Sequence, residues 1–246
     1  MNQEIASIVQ VYKDKEAISR QVATQTIELI NSTLSIRPYV SIALAGGSTP
    51  KMLYSLLATE FKQDIPWDKL LVFWGDERYV PRDHEKSNYL MAKEAMLDHV
   101  DTPADQVFPM PTQPTNPNDG AASYAITLKE QLAHTDGRFD LVLLGMGDDG
   151  HTASLFPGSP ALEEEELMVV AAPAPVDPKQ RLTLTYPAIN NARNIYFLVA
   201  GADKAPGLCC AMEQASEITV CPSGEVDPLD GNLIWFVDQA AAAMLA

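Results

Sequence analysis

Short apolar runs alternate with longer amphipathic stretches along most of the chain. The runs are continuous rather than alternating in polarity, which is typical of strands that are buried on both faces. They predict strands at residues 39–45, 70–75, 139–145, 167–172, 195–200 and 233–237. The stretches between them predict helices at residues 16–34, 50–61, 88–98, 121–133 and 203–215. This alternation favours an α/β fold with a mostly parallel sheet covered by helices on both faces.

The length of 246 residues suits one large α/β domain, and we expect a single domain over residues 1–246. The best candidate for a boundary is the Pro-, Asn- and Asp-rich stretch 102–120. We interpret it as a surface loop within one domain rather than a linker between two, because it joins a predicted helix to a helix–strand unit. The acidic run 163–166 predicts a solvated helix face or loop.

Polar segments follow four of the predicted strands, at residues 46–50, 76–78, 146–152 and 201–204. In open α/β sheets, ligands bind at the carboxyl ends of the strands. We therefore expect these four segments to converge on one crevice.

The first of these segments, Gly-Gly-Ser-Thr-Pro, is suited to holding an anion. Gly46 and Gly47 let the backbone approach a ligand, Ser48 and Thr49 offer hydroxyl groups, and Pro50 suits a first helical turn. The N-terminus of the following helix then directs free N–H groups at the anion. The alternative is an ordinary strand–turn–helix connection with a Ser or Thr cap. The segment matches neither the Walker motif nor GxGxxG, which disfavours a nucleotide.

Arg78, Arg181 and Lys204 are the candidate cations for an anionic ligand. Arg78 and Lys204 come just after predicted strand ends, and Arg181 opens the segment 181–187. An arginine offers a bidentate fork and a lysine a point charge. The alternative for each is a surface cation or the partner of a neighbouring carboxylate.

His151 lies on a glycine-rich turn and follows two carboxylates, Asp148 and Asp149, either of which could orient one ring nitrogen. A histidine ordinarily titrates near neutral pH, which suits a base that deprotonates water. A structural histidine bonded to loop backbone is the alternative. The other three histidines lie in polar stretches and are predicted to be surface residues.

Charge and composition restrict the partners. The net charge is −16, so we expect neither nucleic acid nor an anionic membrane as partner, and an anionic ligand needs a local positive site. Three cysteines give no disulfide framework, and no His/Cys/Asp/Glu set has zinc or EF-hand spacing. We see no signal peptide and no run near the roughly 18 apolar residues that span a bilayer. The sequence predicts a cytoplasmic protein without a bound metal.

Several segments resemble the motifs of 6-phosphogluconolactonases, which belong to the glucosamine-6-phosphate isomerase/6-phosphogluconolactonase family. Residues 145–158, GMGDDGHTASLFPG, are similar to the signature of these enzymes. Residues 45–50, 74–78, 181–185 and 201–205 resemble further motifs of the family and occur in the same order. Residues 233–241 resemble the C-terminal part of the family's sequences. The match covers roughly residues 43–241. The departure is at 220–227, which is more acidic and irregular than the family pattern.

The resemblance implies a modified Rossmann-like fold, shared with glucosamine-6-phosphate deaminases, ribose-5-phosphate isomerases and CoA transferases. It also implies that His151 is the general base, that the 6-phosphate is held by Ser48, Thr49, Arg78 and Lys204, and that Arg181 lines the same pocket. The deaminase signature carries a glutamate five residues after the histidine, where this sequence has Phe156. The lactonase is therefore favoured over a sugar-phosphate isomerase or deaminase.

The implied activity is hydrolysis of 6-phospho-D-glucono-1,5-lactone to 6-phospho-D-gluconate in the pentose phosphate pathway. Water attacks the lactone carbonyl while His151 takes its proton, and Asp149 is the candidate to orient the imidazole. Backbone N–H groups or a cation hold the oxyanion. We expect no cofactor and a monomer or weak homo-oligomer. The non-enzymatic alternative is an inactive sugar-phosphate-binding regulator, although no basic DNA-binding segment is visible.

Overall fold

A computed structural model describes residues 8–113, 116–213, 218 and 220–246. Its strands are β1 (Ile8–Tyr12), β2 (Val40–Leu44), β3 (Leu70–Trp74), β4 (Asp76–Arg78), β5 (Leu141–Leu144), β6 (Val169–Pro173), β7 (Gln180–Leu184), β8 (Asn194–Val199) and β9 (Asn232–Asp238). Its α-helices are α1 (Lys15–Leu34), α2 (Ser48–Thr59), α3 (Asn88–Ala95), α4 (Pro117–Gln131), α5 (Tyr186–Asn190) and α6 (Ala205–Ala211).

Six strands form a parallel sheet in the order β1-β9-β8-β5-β2-β3. Strands β2, β3 and β5 are buried along their whole length, as their largely apolar runs indicated. Helices flank the sheet; α1, for example, packs against β8, β9 and α2. The predicted α/β, Rossmann-like fold with a mostly parallel, helix-covered sheet is therefore confirmed.

The helices begin where the local sequence supplies a cap. The Asp14 side chain accepts a hydrogen bond from the Ala17 N–H at 2.9 Å at the start of α1. The Ser87 hydroxyl accepts one from the Leu90 N–H at 3.1 Å at the start of α3. Such caps satisfy backbone donors that have no partner within the helix.

Strands β4, β7 and β6 form a separate antiparallel sheet, in that order. The strand predicted at 167–172 exists as β6, and it belongs to this antiparallel sheet rather than to the parallel one. Residues 76–78, expected as a polar segment after a strand, form β4 because they pair with β7. Leu182 and Leu184 alternate with polar residues along β7 and are buried in the same hydrophobic cluster as the parallel sheet. The single domain over residues 1–246 stays a prediction, which this shared core supports.

Other differences concern element ends. The edge strand β1 is not predicted from the sequence. The helix expected at 203–215 is a 3-10 turn at Ala202–Lys204 followed by α6, and residues 214–217 lie outside the described residues. The stretch 102–120 contains a 3-10 turn at Ala104–Gln106 and contributes its last residues to α4; residues 114–115 are likewise outside the description. The acidic run 163–166 begins at the end of a 3-10 turn, Pro160–Glu163, and continues as a mostly exposed loop.

The topology brings the predicted polar segments to one edge. Strands β8, β5, β2 and β3 are parallel neighbours, so their carboxyl ends lie side by side. The segments that follow them start from this edge, and the second sheet begins there with β4. No helix in the described part of the chain has the length and apolar character needed to cross a membrane.

Candidate active site

A cleft of about 220 Å³ opens at the carboxyl ends of β2, β3 and β5. Backbone of Gly46 and Gly47 forms part of its wall. The polar side chains that line it are those of Asp76, Arg78, Asn88, His151 and Lys204. Cations, an imidazole and a carboxylate therefore share one concave site, as is common for sites that bind small polar molecules.

His151 and Asp149 form a hydrogen-bonded pair at this cleft. The distance from His151 Nδ1 to Asp149 Oδ1 is 2.5 Å, and the same oxygen accepts the His151 backbone N–H at 3.1 Å. Burial acts to raise the pKa of Asp149, but the hydrogen bonds from His151 outweigh it and hold that pKa below its usual range. An ionised Asp149 accepts a hydrogen bond from the Nδ1–H of His151, so the neutral imidazole keeps Nε2 unprotonated and available to a ligand.

The imidazole ring is held by close neighbours as well. The Phe156 ring centroid lies 4.3 Å from that of His151, and Phe156 is only 6% exposed. A Cβ atom on Gly147 would lie 2.1 Å from His151 Nδ1 and 2.6 Å from Asp149 Oδ1. Only glycine at position 147 leaves room for the pair in this arrangement.

Hydrogen bonds fix the turn that carries His151. The Gly147 N–H donates to the His151 carbonyl at 2.8 Å, and the Thr152 hydroxyl donates to the Gly145 carbonyl at 2.9 Å. Ser154 Oγ donates to Asp76 Oδ2 at 2.7 Å, which ties the turn to β4. Because these contacts span both sheets, the position of His151 depends on the fold as a whole.

Helix α2 presents an uncapped N-terminus beside the cleft. Its N-cap is Gly47, at φ 103°, and no side chain forms a cap hydrogen bond there. The alternative of a Ser or Thr cap is therefore wrong. Ser48 is exposed and Thr49 is buried in the first turn of α2, and neither lines the cleft. The backbone of the glycines, rather than the two hydroxyls, forms the part of this segment that faces the cleft, and free N–H groups there suit an anion.

The three predicted cations have different environments. Arg78 lines the cleft and donates to the Lys86 carbonyl at 2.7 Å. Lys204 also lines it, and its Nζ lies 3.0 Å from Asp203 Oδ2. Arg181 is 4% exposed, donates to the Gln180 carbonyl at 3.2 Å and does not line the cleft.

Arg181 lies directly opposite Arg78 in the β4–β7 pair. Burial, and after it the positive charge of Arg78, lower the pKa of Arg181. Like charges directly opposite each other destabilise an antiparallel pair. An anion bound between the β4–β7 pair and the N-terminus of α2 would relieve this repulsion.

The sequence analysis did not assign Asp76 and Asn88 to the site. Asp76 is 8% exposed and Asn88 2% exposed, and both line the cleft. Asn88 Nδ2 donates to Asp76 Oδ1 at 3.1 Å and to the Asp76 carbonyl at 2.9 Å. The sequence carried no signal for either residue, because Asp76 and Arg78 share a face only once the pairing of β4 with β7 is known.

Glu77 points away from Asp76 and Arg78 along β4 and anchors the start of α3. Its carboxylate accepts the Ser87 hydroxyl at 3.0 Å and the N–H groups of Asn88 at 2.7 Å and Tyr89 at 2.8 Å. Burial raises the pKa of Glu77, although these backbone donors act to lower it. The buried carboxylate thereby fixes Asn88 relative to β4.

The remaining titratable candidates lie elsewhere. His99 and His134 are exposed and His84 is partly exposed, and none of the three lines the cleft. Cys209 is buried in α6. Within the described ranges, no three His, Cys, Asp or Glu residues lie close enough together to hold a metal ion.

The fold and the cleft define a Rossmann-like α/β protein that can bind a small anionic ligand at the carboxyl ends of its strands. The model of the family "Glucosamine-6-phosphate isomerases/6-phosphogluconolactonase" matches residues 13–235. The chain belongs to this family, as the sequence resemblance predicted.

Similar proteins carry the name 6-phosphogluconolactonase. The one from Nostoc sp. is 42% identical over 241 residues, which cover 97% of this chain and 98% of the relative. The one from Synechocystis sp. is 41% identical, with 98% and 99% covered. The structure of 6-phosphogluconolactonase from Trypanosoma cruzi has a TM-score of 0.85 at 31% identity and covers 99% of this chain and 98% of that chain.

Proposed function

We propose that this chain hydrolyses 6-phospho-D-glucono-1,5-lactone to 6-phospho-D-gluconate in the pentose phosphate pathway. The observation that carries the proposal is the His151–Asp149 pair, joined at 2.5 Å, in a cleft that Arg78 and Lys204 also line. A base and two cations suit a substrate with one hydrolysable bond and one phosphate. The near full-length similarity to proteins named 6-phosphogluconolactonase supports the same activity.

Hydrolysis proceeds by direct attack of water on the lactone carbonyl carbon. His151 Nε2 takes a proton from the water as its oxygen bonds to C1, and the carbonyl oxygen becomes an oxyanion. The C1–ring-oxygen bond then breaks, and the imidazolium returns its proton to the ring oxygen. Asp149 stabilises the imidazolium meanwhile. General base catalysis contributes roughly 10²–10⁴-fold, a sensible scale for a lactone that also hydrolyses in water.

In this proposal the 6-phosphate binds to Arg78, to Lys204 and to the N–H groups at residues 46–49. Arg181 adds positive charge from the neighbouring strand. Ser48 and Thr49 lie in the first turn of α2, where their backbone N–H groups serve the phosphate.

Two alternatives are less well supported. A deaminase needs a proton carrier for sugar ring opening, and the residue packed on His151 is Phe156, whose ring cannot carry a proton. A regulator that only binds sugar phosphates has no need of the His151–Asp149 pair. The proposal also includes a cytoplasmic location, which fits the low count of three cysteines, and a monomer or weak homo-oligomer, which analytical ultracentrifugation would test.

The direct test is turnover of freshly prepared 6-phosphogluconolactone, followed in a pH-stat and corrected for spontaneous hydrolysis. The protein should accelerate lactone loss in proportion to its concentration, and it should not convert glucosamine 6-phosphate. Binding of 6-phosphogluconate without any acceleration would instead identify the protein as a non-enzymatic binder.

A further inference from the structure

We propose that Asp76, held in place by Asn88, accepts a hydrogen bond from a ring hydroxyl of the substrate and so determines specificity for the polyol part of the lactone. The inference rests on the proposed function and adds to it a residue that binds the sugar part of the substrate rather than the phosphate. Both side chains line the cleft together with His151.

Strand β4 places the Asp76 carboxylate on the same face as Arg78, the cation proposed to bind the phosphate. Asp76 and Arg78 are two residues apart on this strand, so their side chains share a face and their Cα atoms lie about 7 Å apart. The carboxylate repels the dianionic phosphate and attracts hydroxyl donors. The phosphate end therefore belongs at Arg78 and the hydroxyl-bearing ring at Asp76.

Asp76 has acceptor capacity left for a ligand. Oδ2 accepts the Ser154 hydroxyl at 2.7 Å and Oδ1 accepts Asn88 Nδ2 at 3.1 Å. A carboxylate offers about four acceptor positions, so about two remain. Both protein donors are neutral, and a further neutral hydroxyl donor to an ionised oxygen forms a charge-assisted hydrogen bond.

The surroundings hold this acceptor in a fixed geometry before substrate arrives. The Asn88 backbone N–H is fixed by Glu77 at 2.7 Å, and a Cβ atom on Gly46 would lie 2.1 Å from Asn88 Oδ1, so the amide packs closely on the wall of the cleft. A preorganised site loses little side-chain entropy on binding. Ser154, three residues after His151, donates to Asp76 at 2.7 Å, so the carboxylate is also held in place relative to the base.

The competing explanation is that Asp76 only tethers Ser154 and has no contact with substrate. The two explanations differ in their dependence on the substrate. A residue that binds one hydroxyl loses its effect when that hydroxyl is removed, whereas a tether affects every substrate alike.

The test measures kcat/KM of each variant on each of several deoxy substrates. Wild type, Asp76→Asn and Ser154→Ala are assayed on 6-phosphogluconolactone, on its 2-deoxy, 3-deoxy and 4-deoxy analogues, and on unphosphorylated gluconolactone. Asp98→Asn, an exposed acid paired with Lys93, controls for the loss of one negative charge and should behave as wild type. Folding of each variant is checked by thermal unfolding.

We expect Asp76→Asn to lower kcat/KM about 10- to 100-fold on 6-phosphogluconolactone and on gluconolactone alike. The loss should disappear on the one deoxy analogue that lacks the hydroxyl bound by Asp76. Wild type itself should discriminate against that analogue by a similar factor. Ser154→Ala should cost the same on every substrate.

An equal loss for Asp76→Asn on all deoxy analogues would overturn the proposal in favour of a tether. If Asp76→Asn does not fold, the wild-type series decides, because equal kcat/KM for all three deoxy lactones also excludes a specific hydroxyl contact. If wild type turns over no lactone, the proposed function fails. The same variants are then compared by their Kd for 6-phosphogluconate and its deoxy analogues, and this comparison tests the contact independently of turnover.

Discussion

Substituting Gly147 by alanine tests whether the geometry of the His151–Asp149 pair governs catalysis. The new Cβ atom would lie 2.1 Å from His151 Nδ1 and 2.6 Å from Asp149 Oδ1, well inside the 3.0 Å that real Cβ atoms keep. The imidazole must therefore shift by about 1 Å, and a misplacement of that size can cost about 100-fold in rate. We expect kcat of Gly147→Ala to fall about 100-fold.

The assay is kcat and KM on 6-phosphogluconolactone, together with the Kd of 6-phosphogluconate. Because the substitution leaves the proposed phosphate contacts at Arg78 and Lys204 unchanged, product affinity should stay within a few-fold of wild type. Gly137→Ala is the matched control, since nothing lies within 4 Å of its added Cβ but its φ is +74°. It should lose about 1–2 kcal/mol of unfolding free energy through backbone strain and keep its kcat.

A Gly147→Ala protein with near wild-type kcat would refute the reasoning. So would a parallel loss in kcat for Gly137→Ala, because general destabilisation would then explain both variants.

Three further predictions follow from the same geometry. Arg78→Ala should lower kcat/KM about 10- to 100-fold on 6-phosphogluconolactone but hardly at all on gluconolactone, and equal losses on both substrates would contradict a phosphate contact. Because the folded-state pKa of Asp149 is lowered, its pairing with His151 should stabilise the fold fully above about pH 4 and lose this effect as the pH falls through the lowered pKa. The difference in unfolding free energy between wild type and Asp149→Asn, measured in urea from pH 7 downward, should shrink over that range, and a constant difference would count against the pairing. Protein dialysed against EDTA should keep its activity, whereas a loss restored by a divalent ion would show that a metal takes part.

The sequence predicted the parts of the fold that depend on local pattern. Strands β2, β3, β5, β8 and β9 have continuous apolar runs because both faces are covered, and such runs are visible without knowledge of the tertiary structure. Strand β1 is an edge strand with exposed Ile8 and Val11, so its short run is not distinguished from a loop. Strand β4 consists of three polar residues and exists because β7 pairs with it. No local signal reveals a strand of that kind.

The site residues likewise divide into those indicated by local sequence position and those placed by tertiary contacts. His151, Asp149 and the glycines at 46 and 47 lie in segments directly after strands, where sequence position alone indicates the crevice. Asp76 faces the cleft only because β4 belongs to the second sheet, and Asn88 reaches it only because Glu77 holds the start of α3. Arg181 shows the opposite case. It was assigned to the pocket by resemblance, and its partner across the strands is Arg78, yet it does not line the cleft.

The central claim, that His151 is the general base, is tested most directly by the pH–rate profile of His151→Asn beside wild type. Asparagine has a similar polar shape but cannot accept a proton at neutral pH. The wild-type kcat/KM should rise with pH along an enzyme ionisation, with the substrate phosphate titrating separately near pH 6. His151→Asn should fold, bind 6-phosphogluconate, lose roughly 10²–10⁴ in kcat and show only the substrate's ionisation. A near-normal kcat with the enzyme's ionisation intact would contradict the account and leave a carboxylate as the base.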